Sequence, residues 1–180
     1  MAVHPILLAG SWRQSQHSSS FRAVNPSTGQ EFAGDYPVSS WSDCNRALDA
    51  ASEAAAVLRE LRPSEIGRFL RRFAERIDAR ADELVEIAHG ETALPKTPRL
   101  ATVELPRTTN QLRQAATAAE DGSWAIPTID TKNNIRSMFG PIGPVVVFGP
   151  NNFPFAFSAA AGGDLAAAIA SARSPGRRGH

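Results

Sequence analysis

The sequence has few features that would tie it to an oxidising compartment, a membrane or a polyanion. One residue in 180 is cysteine, so no disulfide can form within the chain, and a reducing, cytoplasmic compartment is expected. Nineteen Lys and Arg balance eighteen Asp and Glu at a formal net charge of +1, which gives no reason to expect nucleic acid or an anionic membrane as partner. No apolar run approaches the roughly 20 residues of a membrane span, and the first ten residues lack the basic segment of a signal peptide.

Two further absences limit the kinds of binding site that the sequence can predict. Cys, His and acidic residues do not recur at metal-ligand spacing, so no metal site is predicted. The glycines from Gly140 to Gly149 do not follow the Gly-x-Gly-x-x-Gly pattern, so glycine spacing alone supports no dinucleotide site. Cys44 is rejected as a nucleophile because no neighbouring residue supplies a base, and His89 and His180 lack a recognisable partner pattern.

Short strands and amphipathic helices fill the first two thirds of the chain. Strands are predicted at 6–8 and 21–24, the second followed by turn formers at 25–29, as in a surface β-hairpin. Apolar residues then recur at helical spacing. The predicted helices run from a cap at Ser40 or Ser42 to Leu61, from Ser64 to Ile77 with its arginines on a solvated face, over 82–88, and over 98–119 with a kink or break at Pro106.

The last third changes character. Residues 135–139 form a candidate strand, and Val145–Phe148 has the β-branched run of a strand buried on both faces, as in a parallel sheet. An alanine-rich stretch from Phe155 to Ala172 is predicted to be helical. Strand, tight turn and helix make the first half of a nucleotide-binding βαβ unit, so the fold class is α/β.

The turn in this unit carries a resemblance. The segment Gly140–Phe155, which ends in Asn-Asn-Phe-Pro-Phe, resembles the strand and loop that begin the dinucleotide-binding domain of the aldehyde dehydrogenase superfamily. The family's usual loop is Pro-Trp-Asn-Phe-Pro, so Asn151 stands where Trp is commoner and Asn152 matches the family asparagine. That family binds its cofactor without the glycine fingerprint.

Other segments resemble the same family in the same order. The segment 21–29 is similar to its opening hairpin, and 91–95 to its Glu-Thr-Gly-Leu-Pro turn with Ala93 in place of glycine. Glu104 with the segment 107–113, the pair Asn151-Asn152, and Gly162-Gly163-Asp164 resemble the α-ketoglutarate semialdehyde (2,5-dioxovalerate) dehydrogenase branch. The likeness extends from about residue 6 to residue 171.

The resemblance implies a chemistry. A cysteine thiolate attacks the aldehyde, hydride passes to NAD or NADP, and water hydrolyses the thioester. The side-chain amide of Asn152 is the implied catalytic group, a donor to the aldehyde oxygen as negative charge develops there. Phe148, Gly149, Pro150 and Asn151 are the implied cofactor-binding residues. The substrate is then an aldehyde, with a semialdehyde suggested by the branch, and the intact family member is expected to be a homo-oligomer.

The resemblance also divides the chain and marks where it departs from the family. The expected parts are a hairpin arm at 1–39, the helical part of the cofactor domain at 40–122, the first strands and helix of the sheet at 123–172, and a tail at 173–180 outside the family pattern. We expect a truncated, inactive fragment, because the family's nucleophilic cysteine and general-base glutamate have no counterpart here. Its exposed strand edges predict poor solubility.

Two alternative functions remain open. One is a non-catalytic protein that docks on a full-length paralogue. The other is a reductase of acyl-CoA or glutamyl phosphate built on the same scaffold.

A frameshift near residue 172 would explain the tail. Codons for the Pro-Gly-Arg-Arg-Gly of residues 175–179, read one nucleotide later, can encode Pro-Val-Val-Val, which matches the family's next strand. Resequencing the coding DNA across codon 172 and downstream is expected to find one shifted nucleotide and a frame that encodes a lysine, a glutamate and a cysteine in family context. A genuine stop after His180 with no such frame would favour a binding or vestigial role.

Overall fold

The computed structural model describes residues 3–173, and the elements below belong to that range. The strands are β1 (Ile6–Leu8), β2 (Ser11–Arg13), β3 (His17–Phe21), β4 (Tyr36–Ser39), β5 (Thr128–Asp130) and β6 (Ile135–Ser137). The helices are α1 (Trp41–Glu60), α2 (Pro63–Asp78), α3 (Ala81–Thr92), α4 (Leu105–Asp121) and α5 (Gly163–Ala170), with a helical segment Lys96–Glu104 before α4 and a single 3₁₀ turn at Ser123–Ala125.

The N-terminal arm consists of two antiparallel pairs. Strands β1 and β2 form a hairpin whose turn, Ala9–Gly10, has positive φ at both residues. Strand β3 pairs with β4. The strand predicted over 21–24 is divided: Phe21 ends β3, and Val24 forms an isolated antiparallel bridge with Glu31 just before the predicted turn. That turn closes as expected, with the Gly29 N–H donating to the Asn25 carbonyl at 2.8 Å.

Helix α1 begins at the predicted cap and is tied to the arm through one buried carboxylate. The Ser40 hydroxyl accepts the Asp43 N–H at 3.3 Å, which confirms Ser40 rather than Ser42 as the cap. Asp43 is 1% exposed and accepts the Ser15 hydroxyl at 2.8 Å and the Gln16 N–H at 2.7 Å. Arg46, one turn later, forms an ion pair with the same carboxylate. These partners satisfy a charge that burial alone would destabilise.

The apolar face of α1 lies outside the main core. Ala51, Ala54 and Leu58 line an open apolar cavity of about 230 Å³, together with residues of the segment 141–147 and of α5. Val57, on the same helix, is 62% exposed. The periodicity predicted the helix correctly, but in the described range its apolar stripe is only partly covered.

The core forms where α2 crosses α4. Leu70 of α2 and Leu112 of α4 are 0% exposed. Gly67 lies against the Glu120 side chain, which occupies the space that a Cβ at this position would take. Arg71 holds the same Glu120 through two hydrogen bonds of 2.5 and 2.7 Å, so the arginine face predicted to be solvated in fact contributes one interhelical ion pair. The other buried members of this core are Ile66, Ala74, Ile77, Val85, Ala88, Leu100, Leu105, Ala116, Ala119, Ala166 and Ala170.

The helix predicted over 98–119 is irregular just before Pro106 but is not broken there, since Glu104 and Leu105 keep helical dihedral angles. The helical segment Lys96–Glu104 ends and α4 begins one residue before Pro106, which occupies the first turn of α4, where a missing N–H costs nothing. At the junction the Leu105 N–H bonds to the Leu100 carbonyl, five residues back instead of four. The turn is therefore wider than an α-helical turn.

The last third differs from its prediction in three places. Strand β6 is shorter than the predicted 135–139 and pairs antiparallel with β5, a strand that the sequence analysis did not predict. The strand expected at Val145–Phe148 is absent, and Val146 and Phe148 are 61% and 86% exposed, so burial on both faces is wrong for the described chain. The reason is that no described segment forms a ladder with these residues.

The helix predicted over 155–172 is reduced to α5. The N–H groups of Phe155 and Ala156 donate to the Glu104 carboxylate, at 2.8 and 3.1 Å. A chain of turns follows, and the Gly162 N–H donates to the Ser158 carbonyl at 2.8 Å before α5 begins. The backbone at Gly162 is extended (φ −72°, ψ 178°), so the helix cannot run through it, and two adjacent glycines disfavour a helix at this point.

Three further expectations concern membrane spans, metal ligands and the tail at 173–180. In the range 3–173 no helix is both long enough and apolar enough to span a bilayer. The same range holds no group of three His, Cys, Asp or Glu side chains that could bind a metal ion. The tail at 173–180, where a shifted frame is expected, lies outside the described residues except for Arg173.

Asp43 makes the stability of the arm sensitive to acid. The Ser15 hydroxyl, Arg46 and the Gln16 N–H lower the pKa of Asp43, against the opposing effect of burial. Its contribution is therefore complete above the unfolded pKa of about 4 and is lost as the pH falls through the lower folded value. We expect Asp43→Asn to lower Tm at pH 7 by about 5 °C and to flatten the acid limb of the Tm profile. Asp49→Asn, an exposed change on the same helix, is the control; equal profiles for the two variants would contradict this account.

Candidate functional site

The predicted site residues lie in a loop between the segment 140–150 and α5. Phe148, Gly149, Pro150, Asn151 and Asn152 are all exposed. The side-chain amide of Asn152 makes no hydrogen bond to any described residue, so its N–H groups are free to donate to a ligand. The same holds for the amide of Asn151, so the loop presents two unengaged amides, of which Asn152 is the one whose backbone carbonyl accepts a side-chain hydrogen bond.

Arg99 holds the loop at Asn152. Its Nη2 donates to the Asn152 carbonyl at 2.8 Å, and its guanidinium lies over the ring of Phe153, 4.3 Å from the ring centre. Both contacts come from a side chain that is 26% exposed. Asn152 and Phe153 are therefore anchored to the helical segment Lys96–Glu104.

Glu104 holds the loop on its other side. Its side chain is 1% exposed, and its Oε1 accepts the N–H groups of both Phe155 and Ala156. Its Oε2 lies 2.9 Å from Nη1 of Arg99, an ion-pair distance without the alignment of a hydrogen bond. Glu104 and Arg99 thus form one charged pair behind the loop.

Two aromatic rings of the loop pack against each other and against a second guanidinium. The rings of Phe153 and Phe157 meet edge to face with centres 5.1 Å apart. The Arg107 guanidinium lies 5.1 Å from the centre of the Phe157 ring. The aromatic pair is therefore flanked by Arg99 on one side and Arg107 on the other.

Gly149 owes its identity to packing against the following turns. A Cβ at Gly149 would lie 2.8 Å from the Ala159 nitrogen and 3.2 Å from the Phe157 carbonyl oxygen. These are backbone atoms, which cannot move aside as the end of a side chain can. The predicted cofactor residue Gly149 is thus also the point where two stretches of backbone touch.

A cavity of about 360 Å³ lies between the segment 141–148 and α5. Phe148 is the only one of the four predicted cofactor residues that lines it; Gly149, Pro150 and Asn151 follow directly in the exposed loop. Its lining has no Lys or Arg, and Asp164 adds a negative charge. Among the described residues, the cavity fits an uncharged ring or ribose better than a phosphate.

Arg99 is the residue that the sequence analysis missed, and Glu104 was noted only as part of a pattern. The sequence does not predict the pairing of Arg99 with Glu104, because residues five apart do not share a face of a regular α-helix. The wide turn at Leu105 brings the two side chains to the same side. Cys44, rejected as a nucleophile, is half-buried in the first turn of α1 and is not among the side chains that contact this loop.

Comparison with known proteins agrees with the resemblance. The model of the aldehyde dehydrogenase family matches residues 12–172. An α-ketoglutaric semialdehyde dehydrogenase of Azospirillum brasilense is 36% identical over 174 residues, which cover 91% of this chain and 33% of that protein. The chain therefore spans about a third of the length of this curated relative. The family and branch predicted from the motifs are confirmed.

Solved structures confirm the fold class. The chain resembles PnpE in complex with nicotinamide adenine dinucleotide, with a TM-score of 0.81 at 21% identity over 96% of this chain and 34% of that one. It resembles the NADP-dependent glyceraldehyde-3-phosphate dehydrogenase of Bacillus halodurans C-125, complexed with NADP, with a TM-score of 0.81 at 22% identity over 96% of this chain and 36% of that one. At these identities the likeness concerns the fold alone.

The close approach at Gly149 predicts a strong effect of a single methyl group. Gly149→Ala is expected to destabilise the chain by about 1–3 kcal/mol, because the backbone at 157–159 must shift to admit the Cβ. Thermal unfolding measures the loss, and amide exchange at Gly162, whose N–H donates to the Ser158 carbonyl at 2.8 Å, locates it. Gly163→Ala is the matched control, since its Cβ would first meet the flexible Gln111 side chain at 3.2 Å. A loss no larger in Gly149→Ala than in the control would refute the packing role.

Proposed function

This chain belongs to the aldehyde dehydrogenase family, and on that premise we propose that it begins an enzyme that oxidises an aldehyde to a carboxylate with NAD+ or NADP+. The proposed substrate is a semialdehyde such as α-ketoglutarate semialdehyde, because the Azospirillum relative bears that name. Activity and substrate belong to the whole protein, of which these residues correspond to about a third. We place that protein in the cytoplasm and expect it to be a homo-oligomer.

Asn152 is the catalytic residue of this proposal. Its exposed amide has no partner among the described residues, while its backbone carbonyl is fixed by Arg99. A donor with these properties can point at an aldehyde oxygen without first breaking another hydrogen bond. The charge that develops on that oxygen is then stabilised by a dipole already in place. This free amide on an anchored backbone is the observation that carries the proposal.

The cofactor is proposed to lie along Phe148, Gly149, Pro150 and Asn151. When bound, NAD(P)+ accepts the hydride of the aldehyde. The exposed backbone at 148–151 offers N–H and C=O groups to a ribose, and the exposed Phe148 ring offers an apolar surface. The described residues that line the adjoining cavity include no Lys or Arg, so they offer no basic group to the cofactor phosphates.

A second candidate function rests on the exposed apolar band of the segment 142–148. Ile142 is 90% exposed, Val146 61% and Phe148 86%. A band of this size favours a covering partner. A non-catalytic protein that docks on a full-length paralogue would use it, and co-purification with such a paralogue would distinguish this function from the enzymatic one.

The first test compares the 180-residue chain with the protein read through the shifted frame. We expect the chain alone to form no NAD(P)H from α-ketoglutarate semialdehyde, because its sole cysteine, Cys44, lies on α1. The longer protein is expected to turn over this substrate faster than an aldehyde of similar length without a carboxylate. Turnover by the pure 180-residue chain would disprove the inactivity, and no preference in the longer protein would disprove the semialdehyde assignment.

A substitution in the same longer protein tests Asn152 itself. Asn152→Ala is expected to lower kcat by about 10²–10³, the typical effect of losing one oxyanion donor. Asn110→Ala, at an exposed position of α4, is the control for removing an asparagine amide. An unchanged kcat in Asn152→Ala would exclude the proposed role.

A further inference from the structure

We propose that Glu104 and Arg99 are positioning residues, whose ion pair fixes the backbone on both sides of Phe153–Pro154 and thereby fixes the backbone from which the Asn152 amide extends. The catalytic consequence rests on the function proposed for Asn152. The ordering of the loop does not, because it follows from contacts made within residues 99–156. Neither residue needs to touch substrate or cofactor.

The burial of Glu104 is the first step. At 1% exposure it lies beside the core residues Leu100 and Leu105, where an ionised carboxylate is strongly destabilised unless partners surround it. Those partners are the Arg99 guanidinium and two backbone N–H groups of the loop. The carboxylate is thus satisfied only while the loop keeps its place.

The second step is that one guanidinium joins the carboxylate to the reactive end of the loop. Nη1 of Arg99 faces Glu104 Oε2 at 2.9 Å, while Nη2 donates to the Asn152 carbonyl at 2.8 Å. The planar fork of arginine fixes the angle between these two contacts. Lysine, with a single point charge, could make one of them without fixing the other.

The third step concerns the residues between the anchors. Pro154 has a fixed φ, and Phe153 is restricted because it precedes proline. Phe153 is further held between Arg99 and Phe157. With the carbonyl of Asn152 and the N–H groups of Phe155 and Ala156 bound, the main remaining freedom is in the Asn152 side chain. With the backbone held on both sides, only the side-chain torsions of Asn152 have to settle when the substrate binds.

Amide exchange on the 180-residue chain tests the ordering. In Glu104→Ala we expect the Phe155 and Ala156 amides to exchange at least about tenfold faster, because each loses a hydrogen bond to a charged acceptor. Core amides of α4, such as that of Ala116, should keep their wild-type rates. Glu86→Gln, which breaks the exposed ion pair with Lys96, is the control and should leave all these rates unchanged. Unchanged rates at 155 and 156 would overturn the proposal.

Two conservative variants keep the test valid where Glu104→Ala unfolds the chain. Glu104→Gln retains an acceptor for the two N–H groups and should protect them better than alanine does. Arg99→Lys retains the charge beside Glu104 and should leave the 155 and 156 amides protected, while the NMR signals of Asn152 move. Signals of Asn152 that stay at their wild-type positions in Arg99→Lys would overturn the link between the pair and the amide.

Steady-state kinetics in the longer protein distinguish a role of the pair in positioning Asn152 from a role in stabilising the fold alone. Arg99→Lys and Glu104→Gln are expected to lower kcat at least about tenfold with little change in KM, while Glu86→Gln matches the wild type. A loosened loop with an unchanged kcat would overturn the positioning role. Should Asn152→Ala also keep full activity, the proposed function of Asn152 would fail while the exchange results at 155 and 156 still stood.

Discussion

Where α2 crosses α4, Leu70 and Leu112 are wholly removed from solvent, and the remaining elements are arranged around that contact. Glu120 of α4 lies against Gly67 of α2 and forms an ion pair with Arg71 at the edge of the crossing. Helix α5 packs on the same two helices and adds Ala166 and Ala170 to the core. The loop that carries Asn152 is thus suspended between α5 and the helical segment before α4.

This arrangement explains why the helices could be predicted and the last third could not. The helices of residues 41–121 follow the apolar period of their own sequence, and Ser40, Pro106 and Gly122 mark boundaries by local chemistry. Val145–Phe148 has strand propensity, but a strand requires a neighbour with which to form hydrogen bonds. Residues 155–172 are rich in alanine, but the extended backbone at Gly162 delays the helix until Gly163. The first difference arises from a partner that local sequence does not encode, and the second from a glycine pair whose effect the prediction underestimated.

The candidate site was predictable to a similar extent. Asn152 and the residues before it were found through a resemblance that spans nearly the whole chain, not through any property of an isolated Asn-Asn-Phe-Pro turn. Their roles remain predictions. Arg99 could not have been paired with Glu104 from periodicity, because regular helical spacing separates residues five apart by more than a third of a turn. Only the wide turn at Leu105 makes them neighbours.

That wide turn has an evolutionary consequence. Deleting one residue between Arg99 and Glu104 would place them four apart, the spacing at which two side chains share a face of an ordinary α-helix, so the pair would persist without the wide turn. Inserting one residue would place them six apart and about 120° from each other on a regular helix, and the pair would be lost although neither residue had been replaced. Selection on this segment should therefore oppose the gain of a residue more strongly than the loss of one.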